Sequence, residues 1–140
     1  MSKSITQITK NSLYEISVDI SKNRLHIKSI GFWRSPEIVS HYIDDMEKAL
    51  GLLVPDFQCL NDTTELFTTP AAVQEKVVYP VVKLLQEAGL STTAIILPKE
   101  DISKMSTTRI ATEVKRSASK IEYFATKEEA EAWLDSLLIA

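Results

Sequence analysis

Two histidines, one cysteine, three glycines and 19 carboxylates are the material from which this 140-residue chain would have to build any chemistry. His26 falls on the outward side of an alternating stretch and His41 on a helical stretch beside Tyr42. Neither has the His-x-x-x-His or His-Glu spacing that would hold a metal. Nothing local supplies the Ser or Cys and the orienting carboxylate of a catalytic triad, so a surface or packing role is expected of both imidazoles. A single Cys59 excludes an intramolecular disulfide and a Cys-based zinc cluster. Its setting in Phe57-Gln58-Cys59-Leu60 suits an inert buried thiol better than a nucleophile. With only Gly31, Gly51 and Gly89, no Gly-x-Gly-x-x-Gly or Walker loop is available to cradle a phosphate. The residues therefore predict no metal, no cofactor and no catalytic constellation.

The best candidate for a binding site is the polar cluster after a short strand at Phe57 to Leu60. In open α/β sheets, ligands bind beyond the carboxyl ends of strands, where helix-start amides and short polar side chains converge. Asp62, Thr63 and Thr64 occupy that place, and Lys99, in Pro98-Lys99-Glu100-Asp101, follows the neighbouring strand. Phe32 and Trp33, ahead of the first helix, either plug the core or cover a cavity mouth. The competing reading of the polar residues is a pair of ordinary turns and caps. Arg109, Lys115, Arg116 and Lys120 make a basic run that is either a solvated face or a docking patch for an acidic partner.

The elements that must position these residues are legible from periodicity. After a polar leader over residues 1–11, expected to be poorly ordered, Tyr14, Ile16, Val18 and Ile20 alternate with polar residues, as in a strand with one buried face. Ser21-Lys22-Asn23 makes a turn, and Leu25 and Ile27 continue a second, antiparallel strand closed by Gly31. Ser35-Pro36 predicts a capped helix start, and Gly51 a left-handed stop. A second helix is predicted from about Pro70 to Ala88, ended by Gly89. Pro80 should kink it, and Val78 and Val82 widen its apolar stripe. That width fits deep burial, a self-association face or the wall of an apolar cavity. Thr92 to Leu97 reads as a strand buried on both sides at the sheet's centre. A surface helix is predicted from Lys99 to about Ser117, then a short strand from Ile121 to Phe124. Thr126 and Glu129 form a capping box ahead of a helix with Ala130, Trp133, Leu134, Leu137 and Leu138 on its apolar stripe.

The order is β-β-α-β-α-β-α-β-α: an α/β domain with a five-stranded, mostly parallel sheet and four helices. A length of 140 residues with 44% hydrophobic and 25% charged residues fits one packed domain. The formal net charge of -3 offers no positive field for nucleic acid, and no apolar run approaches the roughly 20 residues that span a bilayer. A lone cysteine and the absence of a signal-peptide core lead to the expectation of a cytoplasmic protein.

This order, with its opening hairpin and its closing phrase from Tyr123 to Leu134, resembles the STAS-like superfamily, in the branch related to sporulation anti-sigma-factor antagonists and CRAL-TRIO lipid carriers. The resemblance spans nearly the whole chain. It rests on Gly31 ending the second strand, Asp62 after the third, the apolar run Ala94 to Leu97, and Phe-x-x-x-x-x-Ala-x-x-Trp-Leu from Phe124. It implies a bacterial regulatory or binding domain that acts through a protein partner or a small ligand rather than by catalysis. Some members are switched by phosphorylation in the loop after the third strand, where this chain has Thr63, Thr64, Thr68 and Thr69. Asp62-Thr63-Thr64-Glu65 lacks both the serine and the glycine of the switchable phrase. A carrier of a small apolar or lipid ligand is the alternative, and an enzyme using the Asp62 loop the second alternative. Val78, Val82, Leu137, Leu138 and Ile139 further suggest a homodimer.

Overall fold

Alternation of apolar and polar residues places Tyr14, Ile16 and Val18 on one face of a strand, and Leu25 and Ile27 on the same face of the next. These two strands, β2 (Tyr14–Asp19) and β3 (Arg24–Gly31), pair antiparallel around a turn in which Asn23 takes φ 53, a left-handed value that asparagine tolerates. The computed structural model describes residues 5–67, 69–97 and 120–138. The helix expected over 99–117, with Lys99, Arg109, Lys115 and Arg116, lies outside the described residues, as do Thr68 and Ile139.

The chain continues through a 3-10 turn (Pro36–Val39), α1 (Tyr42–Leu50) and β4 (Phe57–Leu66). A continuous helix follows in three sections: α2 (Ala71–Val73), a π turn (Gln74–Val78) and α3 (Tyr79–Ala88). Then come β5 (Leu90–Ile96), β6 (Lys120–Phe124) and α4 (Lys127–Leu138). The sheet has six strands rather than the expected five, because residues 5–10 of the supposed leader form an edge strand, β1 (Ile5–Lys10), antiparallel to β2. The sheet order is β1-β2-β3-β4-β5-β6, with β3 to β6 parallel. Among the described residues the largely buried β5 thus lies one strand in from the edge, and β3 and β4 hold the centre.

Four local expectations change. The run Asn61-Asp62-Thr63-Thr64 is not a turn: β4 continues through it, and the pairing with β3 slips by a bulge between Lys28 and Ile30. Ser35 makes no side-chain cap, and the α-helix proper starts later, at Tyr42. Gly51 caps the helix but stays right-handed at φ -64. Pro80, expected to kink its helix, lies just after a π turn in a helix that runs on through it. Proline donates no N–H, and its ring would strike the carbonyl four residues back in α geometry. The turn ahead of it is instead widened to π register, with the Tyr79 N–H donating to the Gln74 carbonyl.

The two faces of the sheet are covered differently. On one, α1 and α3 pack over Ile16, Val18, Leu25, Ile27 and Cys59 in the larger core. Tyr14, Trp33 and Tyr42 meet edge-to-face there, at ring centroids 4.8 to 6.0 Å apart, and the Tyr14 hydroxyl donates to Asp45 at 2.7 Å. Asp45 and burial together push the Tyr14 phenol up to about 12. On the other face, among the described residues, α4 packs Ala130 and Leu134 against Leu60, Ala94 and Ile96. The Glu129 N–H donates to the Thr126 hydroxyl at its start, as the capping pattern predicts.

Arg24 fixes the far end of α4. Its side chain is 1% exposed, its Nε donates to Gln58 Oε1 at 2.9 Å, and Nη2 donates to Asp135 Oδ1 at 2.8 Å. Gln58 Nε2 in turn donates to the Leu134 carbonyl at 2.8 Å. Removing the carboxylate strands a buried guanidinium, so Asp135→Ala should lower unfolding free energy by about 2–4 kcal/mol, and the double variant Arg24→Met/Asp135→Leu should recover most of it. Urea titrations measure both; a single-variant loss under about 0.5 kcal/mol would refute the network's role. At the same amino end of the parallel strands, Gly89 takes φ +104, and a Cβ there would lie 2.7 Å from Pro55 Cα. Gly89→Ala should therefore cost at least about 2 kcal/mol in the same titration.

Candidate functional site

The register of the parallel strands sets the floor of a cavity on the α1/α3 face. Ile27, Asn61 and Ile95 form one rung across β3, β4 and β5; Cys59, Thr93 and Ile121 form the next, across β4, β5 and β6. Val81, Val82 and Leu85 of α3, with Val78 of the π turn, roof these rungs, and Trp33 and Tyr42 close one side. The cavity volume is about 70 Å3. Val78 and Val82, whose width of stripe left three readings open, are cavity wall.

The cavity is uncharged. No lysine, arginine, histidine, aspartate or glutamate lines it among the described residues. Burial pushes the Cys59 thiol up to about 12, so it stays protonated and unreactive, as the sequence suggests. Burial likewise raises the Tyr42 phenol, although a hydrogen bond with Ser29 pulls the other way. Thr63 is satisfied, its hydroxyl donating to the Ile96 carbonyl at 2.6 Å. Two buried atoms on the floor have no partner: Asn61 Oδ1 and Thr93 Oγ1. Leaving such groups unpaired costs on the order of 1–3 kcal/mol each, which is why buried polar atoms are nearly always matched.

The opposite face carries a second, polar depression of about 110 Å3 where α4 leaves β2 and β3 uncovered. Glu15, Ser17, His26, Lys28, Asp62 and Lys127 surround it. Lys28 Nζ pairs with Glu65 at 2.8 Å, which raises its pKa. His26 sits across from Ser17, but its buried Nε2 has no hydrogen-bond partner, and burial with the Arg24 charge lowers its pKa to about 4. The ring is neutral at pH 7 and makes no nucleophile-base pair. Among the described residues no cluster of three His, Cys, Asp or Glu side chains could hold a metal.

Of the six residues singled out from sequence, the five described ones do not converge. Thr63 points into the cavity floor and Trp33 into its side, with the Trp33 indole N–H donating to the Leu13 carbonyl at 3.0 Å. Asp62 faces the polar depression, where Oδ1 accepts from both the backbone N–H and the hydroxyl of Thr64. Phe32 is half-exposed, and Lys99 lies outside the described residues. The residues that sequence reasoning missed are Asn61 and Thr93. Their signal is a polar side chain on the inward step of an otherwise aliphatic strand.

A six-stranded mixed sheet with its parallel strands in sequential order, α1 and α3 on one face and α4 on the other, is a SpoIIAA-like α/β fold. The crystal structure of an uncharacterized protein from the DUF3478 family, with a SpoIIAA-like fold, from Shewanella loihica PV-4, matches 90% of this chain and 97% of its own. The TM-score is 0.62 and the sequence identity 22%, a likeness of fold. No protein-family model and no curated protein matches the sequence. Among the described residues, no helix is long and apolar enough to cross a membrane.

The unpartnered His26 yields a pH prediction. Its folded pKa is about 4 against an ordinary 6.5, so between those values the unfolded chain binds the extra proton. Stability should fall as the pH drops from 6.5 through 4, by on the order of 2 kcal/mol, and His26→Gln should flatten the fall. The Asp135 carboxyl, held low by the Arg24 hydrogen bond, loses its contribution only at more acid pH. Urea midpoints at pH 7 and pH 4.5 separate the two; identical slopes in wild type and variant would contradict the assignment.

Proposed function

We propose that this chain is a binding domain, not an enzyme, and that its ligand is a small, largely apolar molecule held in the cavity under α3. The observation that carries the reading is an uncharged cavity whose aliphatic floor holds two unpartnered polar atoms. A closed, purely structural core would have filled the space or paired the atoms. The cavity of about 70 Å3 is roughly half the size of an apolar cavity of about 150 Å3 that admits benzene. The ligand is therefore small, or only one end of it enters. The neutral Cys59 thiol and the unpaired, neutral His26 support binding over catalysis. The SpoIIAA-like fold is compatible with a regulatory or carrier role, and a fold alone does not choose between them.

A protein partner is the second reading, and a different observation favours it. Phe32 and Phe67 are 50% and 54% exposed and follow the carboxyl ends of β3 and β4, where the Phe67 N–H donates to the Gly31 carbonyl at 2.9 Å. Exposed phenyl rings are a common anchor for protein contacts. If the partner is a second copy, light scattering at high concentration should give a dimer mass that Phe32→Ser/Phe67→Ser reduces to a monomer.

For the leading reading, native mass spectrometry of protein purified from cells should show a bound small molecule. Val82→Phe, which fills the roof, should remove it while shifting unfolding free energy by less than about 1.5 kcal/mol. Wild-type protein that carries nothing and shows no thermal shift across fatty acids, alcohols and isoprenoids would exclude the cavity as a ligand site. Steady metabolite turnover that vanishes on Asp62→Asn would instead establish an enzyme.

A further inference from the structure

Whatever enters the cavity meets a surface with a distinct chemical preference. Asn61 Oδ1 is a hydrogen-bond acceptor with no donor, set between Ile27 and Ile95 in its rung. Thr93 Oγ1, 5% exposed at the residue level and also unpartnered, stands on the next strand one step along the same face. A hydroxyl can both give and accept, whereas the amide oxygen can only accept. Of the other polar side chains at the cavity, Thr63 donates to the Ile96 carbonyl, Ser29 bonds Tyr42 and the Trp33 indole donates to the Leu13 carbonyl. No cationic side chain lines the space among the described residues, and the two titratable groups that face it, Cys59 and Tyr42, stay neutral at pH 7. An anion brought here would shed its hydration shell with no counter-charge to replace it.

We propose that the cavity selects neutral ligands bearing a hydrogen-bond donor, of the alcohol or amide class, with the donor seated on Asn61 Oδ1, and that it rejects carboxylates. This rests on the cavity being a ligand site. An acceptor-only group such as an ether or ester leaves Asn61 unpaired. A donor removes that penalty, and an alcohol can also accept from Thr93.

Three matched four-carbon probes test the preference on the full chain at pH 7.4: butan-1-ol, its isomer 1-methoxypropane, and butanoate. Dissociation constants are read from titrations of the backbone amide signals around β4 and β5. The alcohol should bind about tenfold tighter than the ether, the margin of one net hydrogen bond, and butanoate at least about a hundredfold weaker than the alcohol. Asn61→Leu, which replaces an unpaired polar atom by an apolar group, should fold normally and bring the alcohol and ether within about twofold of each other. Thr93→Val should reduce the alcohol's advantage without abolishing it. Equal binding of alcohol and ether to wild type, or a preference for butanoate, overturns the selectivity and leaves the ligand site standing. Binding of none of the three overturns both.

Discussion

A guanidinium with 1% of its side chain exposed is the constraint around which one face of this protein is arranged. Removing a charge from water costs several kcal/mol even after relaxation, so Arg24 is tolerated only where its donors are met. Gln58 on the neighbouring strand accepts from Nε and Asp135 on the last turn of α4 from Nη2, and Gln58 also donates to the Leu134 carbonyl that the helix end leaves free. The C-terminus of α4 is thereby pinned to the amino ends of β3 and β4. With that end fixed and Ala130 and Leu134 packed on Leu60 and Ala94, the helix covers the middle strands and leaves β2 and the upper part of β3 open. The polar depression is the uncovered remainder.

The other face follows a different logic. There the tyrosines, Trp33 and the aliphatic rungs make one continuous core under two helices, and polarity intrudes at a few points. Thr63 and Ser29 are absorbed by local hydrogen bonds; Asn61 and Thr93 are not. One face thus carries charge at its rim and a neutral histidine within, while the other carries an apolar space with two open hydrogen-bonding positions. Because successive residues of a strand point to opposite sides, Asp62 and Thr63, adjacent in sequence, belong to different surfaces with different chemistry.

Much of the fold was legible because periodicity is a property of sequence. The β2–β3 hairpin, the buried β5, the parallel pairing and the capped α4 all follow from spacing and turn residues. What escaped had a physical reason in each case. The strand β1 reads Ile-Thr-Gln-Ile-Thr-Lys and buries nothing fully, so its pattern is that of a polar leader, and only pairing with β2 makes it a strand. Asn61-Asp62-Thr63-Thr64 has turn composition, but Asp62 spends its carboxylate on Thr64 inside a bulged strand. Arginine in an alternating stretch reads as surface, and nothing local reveals that Asp135, far along the chain, will bury it. The candidate site was half legible: Trp33 and Thr63 do line the cavity, but choosing them required only strand ends, whereas choosing Asn61 and Thr93 required knowing which polar atoms would be left unpaired.

The widened turn before Pro80 also bears on how this chain relates to others of its fold. A π turn accommodates one residue more than α geometry needs over the same stretch of helix. A relative with a different residue at position 80 could build the same roof from a helix one residue shorter. Comparison of sequences across residues 74–80 therefore calls for a single-residue gap within a helix, a place where insertions are ordinarily disallowed. Without it, Val77 and Val78 would each be matched to a neighbour's wrong face, and every position from the turn to Gly89 would be judged by a side chain pointing elsewhere.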